Sequence, residues 1–354
     1  MAQNHFAERT QAMSTVKKVV VFMILIGCFA GAFAAAIDPI PEEGGFSGRV
    51  NVGANWMRVK TNMAASTPFA DLSSDRINNI FDEPDSETNV TPLFGGELRY
   101  TFADTRTQVF LGSALIDRLR FDMSTAAGVR KQWDETGIFE GAFLFSALPV
   151  EVWEDPYLTG EKRKETDRTA NGGRLAWSRI YNSNFHVNYS YRDIEIDDEL
   201  SGQSVPIAIL PPSQRGLLSR EGDHHQAEVL YVHQLAENQW IAPALQFDHY
   251  GLDGDAMSND MYSLMLTHTY ATEKWRLLTN LNYGYADYDE QNPIYLKTQD
   301  AHRYGISTTL LYPNFFNVEN LTGIFGVGYL KENANIDFYD TEIIVVSAST
   351  MYKF

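Results

Sequence analysis

One cysteine stands among the 354 residues, Cys28, and it lies inside an apolar leader. Once that leader is removed the chain has no thiol, which excludes disulfides. Long apolar runs are equally scarce. After residue 36 no stretch reaches the ~18 residues that a membrane-spanning helix requires. That leaves a soluble protein or a membrane barrel, whose alternating strands escape hydropathy averages. Positive charge is also in short supply: 28 Lys and Arg stand against 46 Asp and Glu, for a net charge of −18. Nucleic acid needs a basic face and is excluded as a partner. No nucleophile elbow, Walker loop, zinc motif or dinucleotide fingerprint is present, so no motif assigns a cofactor or a catalytic centre.

What is present in quantity is aromatic: 18 Tyr, 21 Phe and 6 Trp. Rings of this kind at strand ends supply the interfacial girdles of a membrane barrel. The carboxy-terminal stretch Thr341–Phe354, TEIIVVSASTMYKF, alternates with period two and ends on an aromatic residue. Ile344, Val346, Ala348, Thr350, Tyr352 and Phe354 share one face. Chain ends ordinarily fray, whereas the last strand of a closed barrel pairs with the first. Tyr352 and Phe354 match the terminal targeting signature of outer-membrane barrels, which implies recognition by the barrel-assembly machinery.

At the other end Lys17 and Lys18 precede an apolar run from Val19 to Phe33, followed by Ala34-Ala35-Ala36. A positive n-region, an apolar h-region and an A-x-A site make a secretory signal peptide over residues 1–36, with Met13 as an alternative start. Two rival readings are a lipoprotein site at Cys28 and an uncleaved anchor. A short irregular lead-in over 37–45 follows, and then a single domain over 46–354.

From Phe46 onward, alternating runs of roughly 10 to 13 residues repeat, about fourteen in all within a range of twelve to sixteen. The clearest is Phe185–Arg192, where Phe185, Val187, Tyr189 and Tyr191 alternate with His186, Asn188, Ser190 and Arg192. The connections alternate too. Long polar ones, such as 61–90, 149–171, 193–223, 252–260, 288–301 and 331–341, are separated by tight ones. This is the asymmetry of extracellular loops and periplasmic turns. The weak run Ser124–Trp133, with the short link after Ile116, is where the count is least secure. The fold expected is all-β: a transmembrane, antiparallel, up-and-down β-barrel in the outer membrane of a Gram-negative bacterium.

In such a barrel the apolar alternate faces lipid and the polar one lines the lumen. The lipid set includes Val187, Tyr189, Leu264, Leu266, Leu281, Tyr283, Phe325 and Val327. The lumen candidates are Arg49, Glu97, Arg99, Glu140, Arg174, His186, Arg192, Glu228, Asp248, Arg276 and Arg303, with Asn51, Asn280 and Asn282 beside them. Opposed Arg and carboxylate arrays either set the ion preference of a pore or satisfy one another in a filled barrel. The leading function is therefore a passive, porin-like channel for small polar or charged solutes. The alternative is a closed structural barrel whose long loops bind a partner or lipopolysaccharide. A third reading, a membrane-embedded hydrolase, would pair His186 with Ser190 or His268 with Ser263. Two acidic loop clusters, Asp82, Glu83, Asp85, Glu87 and Asp193, Glu195, Asp197, Asp198, Glu199, are candidate sites for divalent cations. His224 and His225 are adjacent on a strand, face opposite ways, and do not share one ion.

Four stretches carry a resemblance: Pro41–Ala54 (PEEGGFSGRVNVGA), Glu97–Phe102 (ELRYTF), Thr107–Gly112 (TQVFLG) and Glu332–Asp340 (ENANIDFYD). Together they resemble a family of proteobacterial outer-membrane barrels catalogued as a domain of unknown function. The resemblance implies fold and location and assigns no substrate. Asn333–Asp340 is also similar to a loop in the barrel of surface-lipoprotein assembly modifiers. Those proteins carry an N-terminal helical repeat domain that this sequence lacks.

Overall fold

A computed structural model describes residues 39–117 and 122–354. The predicted leader, its cleavage sites and Cys28 lie outside the described residues. Fourteen long antiparallel strands form one sheet that closes on itself. They are β1 (Gly45–Lys60), β2 (Ser86–Phe102), β3 (Thr107–Asp117), β4 (Asp122–Trp133), β5 (Gly137–Phe145), β6 (Glu165–Ser178) and β7 (Phe185–Ile196). The second half comprises β8 (Gly222–Tyr231, continued by His233–Ala236), β9 (Gln239–Leu252), β10 (Asn259–Ala271), β11 (Arg276–Asn292), β12 (Lys297–Pro313), β13 (Leu321–Ala334) and β14 (Thr341–Lys353). Each strand pairs with its neighbour in sequence, and β14 returns to β1 with Val52 opposite Thr350 and Trp56 opposite Val346. The weak run is a true strand, β4, paired with β3 across one irregularity near Leu115 and with β5 from Thr125 to Trp133.

Side-chain alternation decides the two faces. Tyr189, Leu264, Leu266, Leu281, Tyr283, Phe325 and Val327 are exposed on the outside, and Val187 is half-buried. On β14, Val346 and Tyr352 are exposed while Ile343, Val345, Ser347 and Ser349 are buried. An apolar outer surface on a closed sheet is unfavourable in water and favourable in a bilayer, where no backbone group is left without a partner. Aromatic rings gather at the periplasmic ends of the strands. Phe46 meets Tyr100 at 4.8 Å, Phe139 stacks on Trp177 at 5.0 Å, and Phe185 lies 4.6 Å from Tyr231. Tyr189, Tyr191, Tyr262, Tyr283 and Tyr304 mark the opposite rim of the belt. The protein is an integral outer-membrane β-barrel.

The periplasmic turns are tight because asparagine accepts the left-handed backbone they need. Asn182, Asn314, Asn317 and Asn320 all have positive φ. Several outer connections are shorter than the sequence reading. The loop read over 288–301 is only 293–296, since β11 and β12 run beyond the lipid; that over 331–341 is 335–340. Above the bilayer the outward face meets water, so Asp287, Asp289 and Asp300 replace apolar residues and the alternation that reveals a strand disappears.

Closure is completed by the terminal residue. Phe354 donates its backbone N–H to the Gly48 carbonyl at 3.1 Å, and the Gly48 N–H reaches the Phe354 oxygen at 2.8 Å. The Phe354 ring lies over Gly48, where a Cβ would come within 2.7 Å of Cζ. Only glycine leaves room for that ring. Gly48→Val should therefore displace Phe354 and weaken the β14–β1 seam. The folded, fast-migrating band on SDS gels is expected to convert to the unfolded form at a lower temperature than wild type; an unchanged conversion temperature would show that the seam does not need this contact.

Candidate functional site

The lumen holds a cavity of about 310 Å³, walled by inward residues of nearly every strand. One part of its wall is a ladder of alternating charge. Glu97 on β2 accepts from Arg99 at 2.6 and 2.7 Å, from Arg49 on β1 at 3.1 Å and from Arg130 on β4 at 3.1 Å. Arg130 reaches the other way to Glu140 on β5 at 2.6 Å, and Glu140 accepts from Arg174 on β6 at 2.5 and 2.8 Å. Four arginines thus share two carboxylates across five strands. Fork geometry lets the Arg130 guanidinium serve both carboxylates.

Local sequence makes the ladder possible. Glu97 must cross β3 to reach Arg130, and it does so over Gly112, its cross-strand partner. A Cβ at Gly112 would stand 2.9 Å from Glu97 Cγ. Beside this gap the Arg130 guanidinium lies 3.9 Å from the centroid of the Phe110 ring. Arg130 is thereby held by two carboxylates and an aromatic face, all buried.

The rest of the wall is acidic and amide-rich. Glu228 accepts from Asn188 at 2.7 Å. Asp248 accepts from Gln226 at 2.9 Å and from Gln246 at 2.7 Å. It also meets His224 Nε2 at 2.9 Å. Arg192, fully buried, places Nη2 2.6 Å from His224 Nδ1. A guanidinium can only donate, so Nδ1 accepts and Nε2–H donates to Asp248. Tyr250 stacks on the same imidazole at 4.0 Å. Arg303 on β12 pairs with Glu332, its register partner on β13.

Of the sequence candidates, Arg49, Glu97, Glu140, Arg174, His186, Glu228, Asp248 and Arg303 line this cavity together. Arg99 joins through Glu97, and Arg192 through His224. Arg276 is not brought to the group: it begins β11 at the periplasmic rim and is exposed. Sequence reading missed Arg130, the hub of the ladder, because Ala126-Ala127-Gly128 blurs the alternation of β4. Its parity with Gln132 is the signal that places it inward.

The hydrolase pairs do not form. Ser263 is inward and His268 outward, since their separation in β10 is odd. His186 and Ser190 share the inner face but lie four residues apart, roughly 13 Å along a strand. His186 Nδ1 instead accepts the Arg179 N–H at 3.3 Å. Among the described residues no group of three or more His, Cys, Asp or Glu side chains is placed to hold a metal. Glu83 pairs with Lys60 at 3.1 Å and Glu199 with Arg220 at 2.9 Å.

Above the cavity the outer loops pack into a cap inside the barrel mouth. Segments 61–85, 146–164, 197–221, 253–258, 293–296 and 335–340 all contribute. Ile77, Ile80, Tyr157, Leu210, Leu218 and Phe338 form its core, and it rests on the inward residues Met261, Ala286, Ala301 and Ala334 of β10–β13. Polar groups inside it are well paired. Tyr339 Oη lies 2.6 Å from Tyr157 Oη and accepts from Asn292 at 2.7 Å. Asp155 accepts the N–H groups of Tyr157, Gly202 and Ser204. Burial raises both the Tyr157 and Tyr339 phenols above their ordinary range, so this chain stays protonated. Arg163 crosses the cap to the carbonyls of Pro156, Asn62 and Ser74, and burial brings it down to about 10.

Replacing Arg130 with leucine removes the hub while Glu97 keeps Arg49 and Arg99, and Glu140 keeps Arg174. The loss is expected near the lower end of the cost of breaking a buried pair, ~3 kcal/mol. Reversible urea unfolding in micelles measures it. A change below ~1 kcal/mol would mean that the remaining arginines close the ladder by themselves.

A family model described as "Protein of unknown function (DUF2860)" matches residues 45–353. No curated protein matches the chain. Among solved structures it is similar to the CymD monoaromatic hydrocarbon channel, with 11% identity over 94% of this chain and 95% of that one, at a TM-score of 0.47. The outer-membrane channel DcaP of Acinetobacter baumannii shares 9% identity over 88% and 97%, at 0.42. A loop L8 deletion mutant of OmpT, an outer-membrane protein of Vibrio cholerae, shares 10% over 87% and 99%, at 0.39. Identities this low bear on architecture alone, and the reading of the lumen rests on its own residues. The match over residues 45–353 places this chain in the DUF2860 family, whose function is unknown.

Proposed function

We propose that the barrel is a gated passive channel for small polar or charged solutes. The observation that carries this reading is the charged cavity itself. A barrel serving only as an anchor would gain by filling its centre with packed apolar side chains. Here buried charges are instead held apart on the wall and leave a chamber between them. Arg49, Arg130, Arg174 and Arg303 balance Glu97, Glu140, Glu228 and Asp248 in its lining. Equal numbers of each sign, with arginines in excess on the ladder and carboxylates in excess at Glu228 and Asp248, give a transverse field with little net charge. Such a field favours dipolar solutes and weak overall ion selectivity.

The cap is the gate. Its loops are joined by apolar contacts and buried hydrogen bonds, so passage requires it to lift or loosen. Phe338 is fully buried and stacks on Tyr157 at 5.2 Å. Phe338→Ala is expected to cost the cap ~3–5 kcal/mol of packing, of which only part falls on the open-to-closed balance. In planar bilayers, wild type should show rare, discrete openings, and Phe338→Ala should raise the open probability at least tenfold. Glu228→Gln should then shift the reversal potential in a salt gradient toward anion preference. Absence of discrete conductance from both proteins would overturn the channel and leave the second reading, a closed barrel whose packed outer loops engage a partner.

A further inference from the structure

On one side of the central chamber the accessible charge is positive, and two strands away it is negative. We infer that the chamber binds a small zwitterion, an α-amino acid with its carboxylate at Arg174 and its ammonium at Glu228. The inference rests on the channel reading and names the solute class.

Three features support it. The first is the face that the ladder turns to the chamber. Arg49, Arg99, Arg130 and Arg174 stand against Glu97 and Glu140, an excess of two positive charges after every ion pair of the ladder is counted. The carboxylates lie beneath the arginines. The Glu97 and Glu140 side chains are 7% and 6% exposed, whereas those of Arg49 and Arg174 are 23% and 22% exposed. A solute in the chamber therefore meets guanidinium. Arg174 spends Nε and Nη2 on Glu140. Its Nη1 makes no hydrogen bond among the described residues and is not enclosed, so it is open to a carboxylate in the chamber.

The second feature is Glu228. It is half-buried on the chamber wall and accepts from the Asn188 amide, and among the described residues no cationic side chain pairs with it. The neighbouring carboxylates are already engaged. Glu332 pairs with Arg303. Asp248, 1% exposed, accepts from Gln226, Gln246 and His224, and His224 in turn meets Arg192. A half-buried carboxylate without a cation is costly, and a bound ammonium offsets that cost.

The third feature is spacing. Arg174 on β6 lies opposite Ser190 on β7, and Glu228 on β8 lies opposite Asn188. The two thus flank β7 one row apart, with α-carbons roughly 12 Å from each other by strand geometry. They do not pair directly, yet Arg174 is near enough to act on Glu228 through space. In an α-amino acid the ammonium and a carboxylate oxygen are ~3 Å apart, and a hydrogen bond of ~2.8 Å at each end makes a bridge of up to ~9 Å. Such a bridge suits two charges that are too distant to pair and close enough to interact. A carboxylate or an ammonium alone engages one end only. Farther round the wall Ser263, Asn280, Asn282 and Ser307 supply hydroxyl and amide groups for a polar side chain.

The test uses the full-length protein, folded in micelles, and isothermal titration with L-alanine. Phe338→Ala is titrated in parallel, so that a shut cap does not withhold the chamber. Isobutyrate, in which a methyl replaces the ammonium, and isopropylammonium, in which a methyl replaces the carboxylate, match alanine in shape and keep one charge each. Alanine is expected to bind saturably, at least tenfold more tightly than either. Glu228→Gln preserves size and can keep the Asn188 contact; it should bring alanine down to the affinity of isobutyrate and leave isobutyrate no weaker. Arg174→Gln should bring alanine down to the affinity of isopropylammonium, and it carries the test if Glu228→Gln does not fold. Alanine binding no tighter than isobutyrate, or unaffected by the folded variants, overturns the site. Conductance that persists in Phe338→Ala without alanine binding sinks this inference alone, whereas loss of conductance from wild type and Phe338→Ala together removes the channel beneath it.

Discussion

Everything in this molecule depends on a sheet that has no free edge. In a bilayer an unpaired N–H or C=O costs several kcal/mol, and fourteen strands can satisfy that demand only if the last returns to the first. The β14–β1 ladder does so over its full length, and the terminal Phe354 adds one more pair of hydrogen bonds at Gly48. Closure then dictates the chemistry on both sides. Alternate residues must go outward into lipid, and the remainder must go inward. A chain with 21% charged residues can live in a membrane only because the inward half has somewhere to put them.

How those inward charges are arranged separates this barrel from a merely filled one. Glu97 and Glu140 are each held by more than one arginine, so no carboxylate of the ladder depends on a single partner. The ladder spans β1 to β6, while the amide and carboxylate groups around Asp248 occupy β7 to β9. That segregation follows from strand order alone: neighbouring strands supply neighbouring charges. The chamber stays open because side chains engaged with their neighbours along the wall do not reach across it.

Much of this was legible in the sequence. Period-two alternation in segments such as Phe185–Arg192 sufficed to separate lipid from lumen, since burial on one face and lipid on the other force that pattern. The strand count emerged for the same reason, including β4. The reading failed where the pattern has no physical cause. Outside the bilayer both faces of a strand can be polar, so the outer halves of β11 and β12 looked like loop. Arg130 was hidden by small residues that suit either face. The cap was invisible altogether: Ile77, Leu210 and Phe338 come from three loops and meet only in space, and no local periodicity encodes such a meeting. For Arg192 and His224, sequence showed orientation but not the chain of hydrogen bonds to Asp248, which joins three strands.

Because six loops share one apolar core, none of them can leave alone. Withdrawing Leu210 or Tyr157 strips contacts from segments far away in sequence, including Ile77 and Ile336. The cap is therefore a cooperative unit resting in a much sturdier frame, with its own local unfolding equilibrium. In the gated channel proposed above, its opening would be all-or-none, resembling the melting of a small domain more than the swing of a hinge. The strand hydrogen bonds of the barrel do not involve that core, so the membrane seal would be kept while the mouth changed state.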